Sequence, residues 1–106
     1  MSGFACICGG FSGLDNDFDA VSLENNDEID LPSGVSGWGY VHVGNDEEFA
    51  RFTWSNDATV TLREATTNVI DMDVDTFLCI YDGGTNIKIK NRLGGSKTIR
   101  YLLYYS

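Results

Sequence analysis

Gly37-Trp38-Gly39-Tyr40-Val41-His42-Val43-Gly44 is the stretch on which the reading of the fold turns. On an extended chain Trp38, Tyr40 and His42 fall on one side and Val41 and Val43 on the other, the period of two that marks a strand with unlike faces. Glycines bracket it. The period continues in Glu48-Phe49-Ala50-Arg51-Phe52-Thr53-Trp54, where Ala50, Phe52 and Trp54 face one way and Phe49, Arg51 and Thr53 the other. Ser55-Asn56-Asp57 then supplies a turn. Ala58, Val60 and Leu62 alternate with Thr59, Thr61 and Arg63, which predicts a half-exposed antiparallel strand.

Beyond Thr66-Thr67-Asn68, Ile70, Met72 and Val74 alternate with Asp71 and Asp73, predicting a strand over 69–74. Residues 77–81 are apolar on both faces, as a central strand covered from two sides would be. Asp82-Gly83-Gly84 is a turn signal, after which Ile87 and Ile89 alternate with Lys88 and Lys90. Arg92-Leu93-Gly94-Gly95-Ser96 makes the next turn. In the last strand, 97–105, Ile99, Tyr101, Leu103 and Tyr105 point one way and Arg100, Leu102 and Tyr104 the other. A strand apolar on both faces at the chain end suggests a subunit contact, so Ile99, Tyr101, Leu102, Leu103, Tyr104 and Tyr105 are the candidate oligomer interface.

The first third is less regular. Residues 4–11, 18–23 and 28–31 read as three further short strands separated by Asp- and Asn-rich turns, and 1–35 as an arm or a looser segment. Eight to ten strands result, and the expectation is an all-β chain, an antiparallel β-sandwich or jelly roll forming a single domain over 1–106. Twelve glycines against one proline, Pro32, fit a protein of many turns, and 106 residues with 42% hydrophobic side chains can bury a modest core.

Charge is unevenly spread. Residues 1–50 hold ten acids and no Lys or Arg, while 51–106 hold seven cations and six acids, for a total of −9. That balance argues against nucleic acid or an anionic membrane as partner, because the dominant electrostatic term would be repulsive. The opening MSGFACICGGFSG has no basic n-region and is broken early by glycine, so no signal peptide is expected and synthesis in a cytoplasm is. Cys6, Cys8 and Cys79 are too few for a disulfide framework and suit a reducing compartment.

Motifs for catalysis are missing from the pattern. His42 is the lone histidine, and its ordinary reading is a ring beside Trp38 and Tyr40 on a sheet face. Gly10-Phe11-Ser12-Gly13 and Gly34-Val35-Ser36-Gly37 place the last glycine one position too early for a nucleophile elbow. Cys6 and Cys8 could offer two thiolates, but no second pair follows at zinc spacing. Asp15-Asn16-Asp17-Phe18-Asp19 matches the start of an EF-hand loop, yet Ala20 and Asn26 stand where glycine and glutamate are needed. A solvated acidic loop is the plain reading there, with a looser calcium site as the sharper one; Asp71, Asp73 and Asp75 read the same way. No pair among the sixteen acids is singled out for glycoside hydrolysis. A non-enzymatic protein without cofactor is therefore expected. Trp38, Tyr40 and Trp54, if exposed, could stack on sugar rings, although aromatics in sheets more often serve the core.

The stretch from Cys79 through Tyr81-Asp82-Gly83-Gly84-Thr85-Asn86 to Gly95, followed by Thr98-Ile99-Arg100-Tyr101-Leu102-Leu103-Tyr104-Tyr105, resembles the terminal β-segments of bacteriophage virion proteins, especially fibre and head-decoration modules. The likeness covers roughly the last thirty residues. It implies a non-enzymatic structural subunit of the virion, made in the host cytoplasm, commonly trimeric and in contact with other virion proteins. On that reading Trp38, Tyr40, His42, Tyr81, Asp82, Thr85 and Asn86 are the candidate contacts for a host cell-surface glycan or a neighbouring subunit. The alternative is a free carbohydrate-binding module, calcium-assisted at the acidic stretch, and a small acid-dependent hydrolase comes third.

Overall fold

The computed structural model describes residues 15–44, 47–56 and 59–106; the strand expected over 4–11, and with it Cys6 and Cys8, lies outside them. The described residues form nine strands and no helix: β1 (Asp15–Leu23), β2 (Glu28–Asp30), β3 (Gly37–Val43), β4 (Glu48–Trp54), β5 (Val60–Ala65), β6 (Val69–Ile70), β7 (Leu78–Asp82), β8 (Ile87–Asn91) and β9 (Lys97–Tyr105). They build two packed sheets, one of five strands in the order β1-β9-β3-β4-β5 and one of four in the order β2-β8-β7-β6. The protein is an all-β sandwich. Pairing is antiparallel throughout except between β6 and β7.

Alternation decides which side chains meet between the sheets. Val41, Val43, Ala50, Phe52, Ile99 and Leu103 enter from the five-stranded sheet, and Leu31, Val69, Leu78, Ile80, Ile87 and Ile89 from the other side, all buried. Each of these side chains other than Ala50 contributes on the order of 1.5–3 kcal/mol when fully withdrawn from water. Two buried polar groups are satisfied. Asn91 Nδ2 donates to the Leu23 carbonyl at 2.9 Å and to the Gly95 carbonyl at 2.8 Å. Glu48 accepts from Thr66 Oγ1 at 2.5 Å and from Asn68 Nδ2 at 2.8 Å, which ties the turn after β5 to the start of β4.

Glycines in β3 control the orientation of its aromatics. A Cβ on Gly39 would stand 2.7 Å from Leu103 Cδ2 and 2.8 Å from Phe52 Cζ, and one on Gly37 would lie 2.9 Å from Trp54 Cη2. Only hydrogen fits there. Large rings on β4 therefore fill the interior across from β3, and the bulky residues of β3, Trp38 and Tyr40, are those pointing out.

Two segments differ from the sequence-based reading. The acidic stretch Asp15 to Asp19, expected as a loop, belongs to β1 and pairs with β9 from Asp15 opposite Tyr105 to Leu23 opposite Lys97. Its first six residues are exposed, because the second sheet covers only the Leu23 end. Residues 71–74, expected as strand, leave the sheet after Ile70, and Met72 is 56% exposed. Asp73 explains the departure: it receives Arg92 Nη1 at 2.9 Å and Lys90 Nζ at 3.3 Å, so the segment arches across the outside of β7. There Val74 N donates to Cys79 Sγ at 3.4 Å, and the thiol faces the Val74 carbonyl at 3.3 Å. Burial raises the Cys79 thiol pKa and keeps it unionised.

Candidate docking surface

The register of the five-stranded sheet lays its outward side chains in rows. Across β1, β9, β3 and β4, the first row is Asn16, Tyr104, Trp38 and Thr53; the second is Phe18, Leu102, Tyr40 and Arg51; the third is Ala20, Arg100, His42 and Phe49. The second row continues to Glu64 on β5, whose carboxylate lies 3.8 Å from Arg51 Nε. Rows two residues apart along the strands bring their side chains into contact. Trp38 stacks on Tyr104 with ring centroids 4.5 Å apart and 28° between planes. Tyr40 meets Trp38 at 5.8 Å and turns an edge to Phe49 at 6.1 Å.

This surface stays open to solvent: Phe18 is 74%, Trp38 41% and Tyr40 39% exposed. Tyr40 stands between two shallow hollows. One, of about 430 Å³, is lined by Tyr40, His42, Phe49, Arg100 and Leu102, with Val41 and Tyr101 at its base; the other, of about 310 Å³, is lined by Trp38, Tyr40, Arg51, Phe52 and Thr53. Each hollow pairs an aromatic wall with one arginine. Arg63 adds a third cation, its Nε donating to Thr53 Oγ1 at 3.0 Å. On this face three arginines, two in the rows and Arg63 beside them, stand against Glu64, on a chain whose total charge is −9.

The residues singled out in the sequence divide into three groups. Trp38, Tyr40 and His42 come together on the outward rows, joined by Leu102 and Tyr104 from the last strand. Ile99 and Leu103 lie in the core instead, and Tyr101 and Tyr105 pack against it at the margin. Tyr105 Oη donates to Asp17 Oδ2 at 3.0 Å, tethering the exposed half of β1. Tyr81, Asp82, Thr85 and Asn86 belong to the other sheet, at the β7–β8 hairpin. The polar groups of that turn are used within the fold: Asp82 Oδ1 accepts from Gly84 N at 2.8 Å inside the turn, and Asn86 Nδ2 donates to the Leu31 carbonyl at 2.8 Å, tying the turn to the end of β2. Phe18, Phe49, Arg51 and Arg100 complete the surface although sequence reasoning did not select them; Arg100 shares outward parity with Leu102 and Tyr104 on its own strand, but only the strand order shows that Phe18, Phe49 and Arg51 meet them.

Among the described residues no cluster of three or more His, Cys, Asp or Glu side chains is arranged to hold a metal ion. Asp73 is committed to its cations: burial opposes its ionisation, but the hydrogen bonds and charges of Arg92 and Lys90 prevail and hold its carboxyl below the usual carboxylate range. No family model matches the chain, and no curated protein or solved structure is detectably similar to it.

Proposed function

We propose that the chain is a non-enzymatic structural subunit of a bacteriophage particle, displayed on its tail, fibre or capsid surface, and that it assembles through the outer face of the five-stranded sheet. One observation carries this reading: Phe18, Leu102, Tyr40, Trp38 and Tyr104 form one contiguous apolar surface facing solvent. Monomeric proteins rarely expose apolar patches of more than a few hundred Å² without a use for them, and covering such a patch contributes roughly 25 cal/mol per Å². The β7-to-β9 portion is also the part whose sequence resembles virion proteins, and from that resemblance come the trimer and the contacts with other virion proteins.

The test is the solution mass of the chain by light scattering at several concentrations. A concentration-stable oligomer, a trimer on this reading, is expected, and Leu102→Glu should reduce it to monomer with an unchanged circular dichroism spectrum. A native chain that remains monomeric at high micromolar concentration overturns the assembly reading.

The arrangement of Trp38 beside Arg51 and Thr53 favours one second reading, a carbohydrate-binding face. A sugar ring can stack on the indole while hydroxyls meet the guanidinium and threonine. That reading predicts glycan binding by a monomer, lost in Trp38→Ala, and a glycan screen with and without EDTA separates it from the first.

A further inference from the structure

Resting on the reading of the outer face as an assembly surface, we infer that the edge of a second copy covers it: the open half of β1, residues 15–20, stands on the face with Phe18 in the hollow beside Tyr40 and its acids toward Arg51 and Arg63. Three observations lead there. The first is the form of that edge. β1 is an outermost strand of the five-stranded sheet, and the four-stranded sheet covers only its Leu23 end. Along residues 15–20 both faces of the strand are open. Phe18, the most exposed large apolar side chain among the described residues, stands on one face, and Asp15, Asp17 and Asp19 on the other. Pairing over nine rungs to β9 holds Phe18 two strands, about 10 Å, from Tyr40. Its ring lines neither hollow of its own chain, so a Phe18 that fills the hollow comes from another copy.

The second is charge complementarity. Among the described residues Asp15, Asp17 and Asp19 form no ion pair; Asp17 accepts from Tyr105 Oη, and Asp19 Oδ1 from Ala20 N at 2.8 Å. Toward the opposite edge of the same sheet, β4 and β5 expose Arg51 and Arg63 against Glu64. Copies carrying −9 each repel as whole bodies, and an approach of edge to face sets opposite charges together. The charges select the docking site, while Phe18 and Tyr40 supply the affinity.

The third is sidedness. On β1 the ring and the acids point opposite ways; on the face, the hollow between Leu102 and Tyr40 lies toward β9, and Arg51 and Arg63 lie toward β5. An edge that turns Phe18 toward β9 turns its acids toward β5, so both matches are made at once. Rotation about an axis along the strands keeps the rows level, which brings Phe18 of one copy to Leu102 and Tyr40, its own row, in the next. Such a contact is heterologous, edge of one copy onto face of the next, and a heterologous contact that closes on itself makes a ring such as a trimer.

Full-length chains carrying Cys6→Ser and Cys8→Ser, in which the remaining native thiol, Cys79, is buried, make the arrangement testable. One such chain adds Asp19→Cys and another Arg63→Cys; Thr85→Cys, exposed on the β7–β8 hairpin of the other sheet, is the control. After mixing and mild oxidation, non-reducing gels with peptide mapping should show the 19–63 disulfide forming at least tenfold faster than the 19–85 disulfide. Phe18→Glu, in the native background, should weaken self-association at least tenfold by light scattering with an unchanged circular dichroism spectrum. The inference is overturned by a 19–63 rate no greater than the control, by a 19–19 disulfide that outpaces it, or by Phe18→Glu associating as the native chain does. The native chain keeps the two proposals apart: an oligomer whose variants fail these tests sinks this inference alone, and a monomer sinks the assembly reading and this inference with it.

Discussion

On the four-stranded sheet the outward positions are Glu28, Asp30, Tyr81, Lys88 and Lys90; on the five-stranded sheet they include Phe18, Trp38, Tyr40, Leu102 and Tyr104. The charged members of the first set find their partners within the fold. Lys88 Nζ lies 2.7 Å from Glu28 and 2.6 Å from Asp30, and both carboxylates raise the Lys88 pKa. Asp73 binds Lys90 and Arg92, and Asp75 adds a contact to Arg92 at 3.8 Å. The second set has its rings half in water. Alternation is the same on both sheets, so it is not the period that distinguishes a finished surface from an unfinished one. What differs is the kind of contact: the charged groups of the smaller sheet meet opposite charges, whereas the rings of the larger sheet stack on one another and keep a side in water.

Breaking the alternation in β3 should have the largest effect. Gly39→Val would drive branched carbons into Leu103 and Phe52, and a loss of about 3 kcal/mol in urea unfolding is expected. A loss below about 1 kcal/mol would mean that inward close packing does not explain the outward rings. Next comes a variant that touches only the open face. Tyr40→Ala should weaken self-association by roughly 30-fold, about 2 kcal/mol at the centre of an interface, while unfolding of the dilute protein changes by less than about 1 kcal/mol. Glu28→Gln on the opposite face should leave association unchanged; equal effects from the two variants would erase the distinction between the faces.

Acid sharpens the comparison from the charged side. The Asp73 carboxyl is held below its ordinary value of 3.8, so the stabilisation it supplies is complete above that pH and disappears as the pH falls through its lowered folded value. Asp73→Asn should therefore cost on the order of 1 kcal/mol or less at neutral pH and flatten the acid limb of the stability curve below pH 4, read by thermal melts. An acid limb identical to that of the native chain would show the pairing to be idle. Salt should have the smallest effect. At 1 M ionic strength, with charges screened beyond about 3 Å, the oligomer mass should hold, because its contact is apolar. Dissociation at high salt would assign the association to the arginines instead.

Reading β3, β4 and β9 from sequence succeeds because each has one buried face, and burial imprints a period of two. The same logic explains the failure at β1. Asp15 to Asp17, ahead of the strand expected from Phe18, pair with β9 yet lie beyond the cover of the second sheet, so nothing selects apolar residues there and that end of the strand looks like a polar loop. Residues 71–74 fail in the opposite direction. Ile70, Met72 and Val74 mimic a strand, but Asp73 is drawn to Arg92 and Lys90, which lie some twenty residues further on and announce nothing locally. For the docking surface, one strand's worth was legible: Trp38, Tyr40 and His42 share a face on any extended backbone. That Phe18 and Leu102 sit in the same row as Tyr40 depends on β9 lying between β1 and β3, a pairing between distant parts of the chain that no local period encodes.

Asp15 and Tyr105 face each other at one end of the β1–β9 ladder, which runs nine rungs to Leu23 and Lys97. Tension drawn between those two residues would act across the ladder rather than along it. The rungs would open in sequence from the Asp15 end, as a zipper does, each bearing the strain alone. Mechanically, the edge of the larger sheet is the part of this sandwich that peels first.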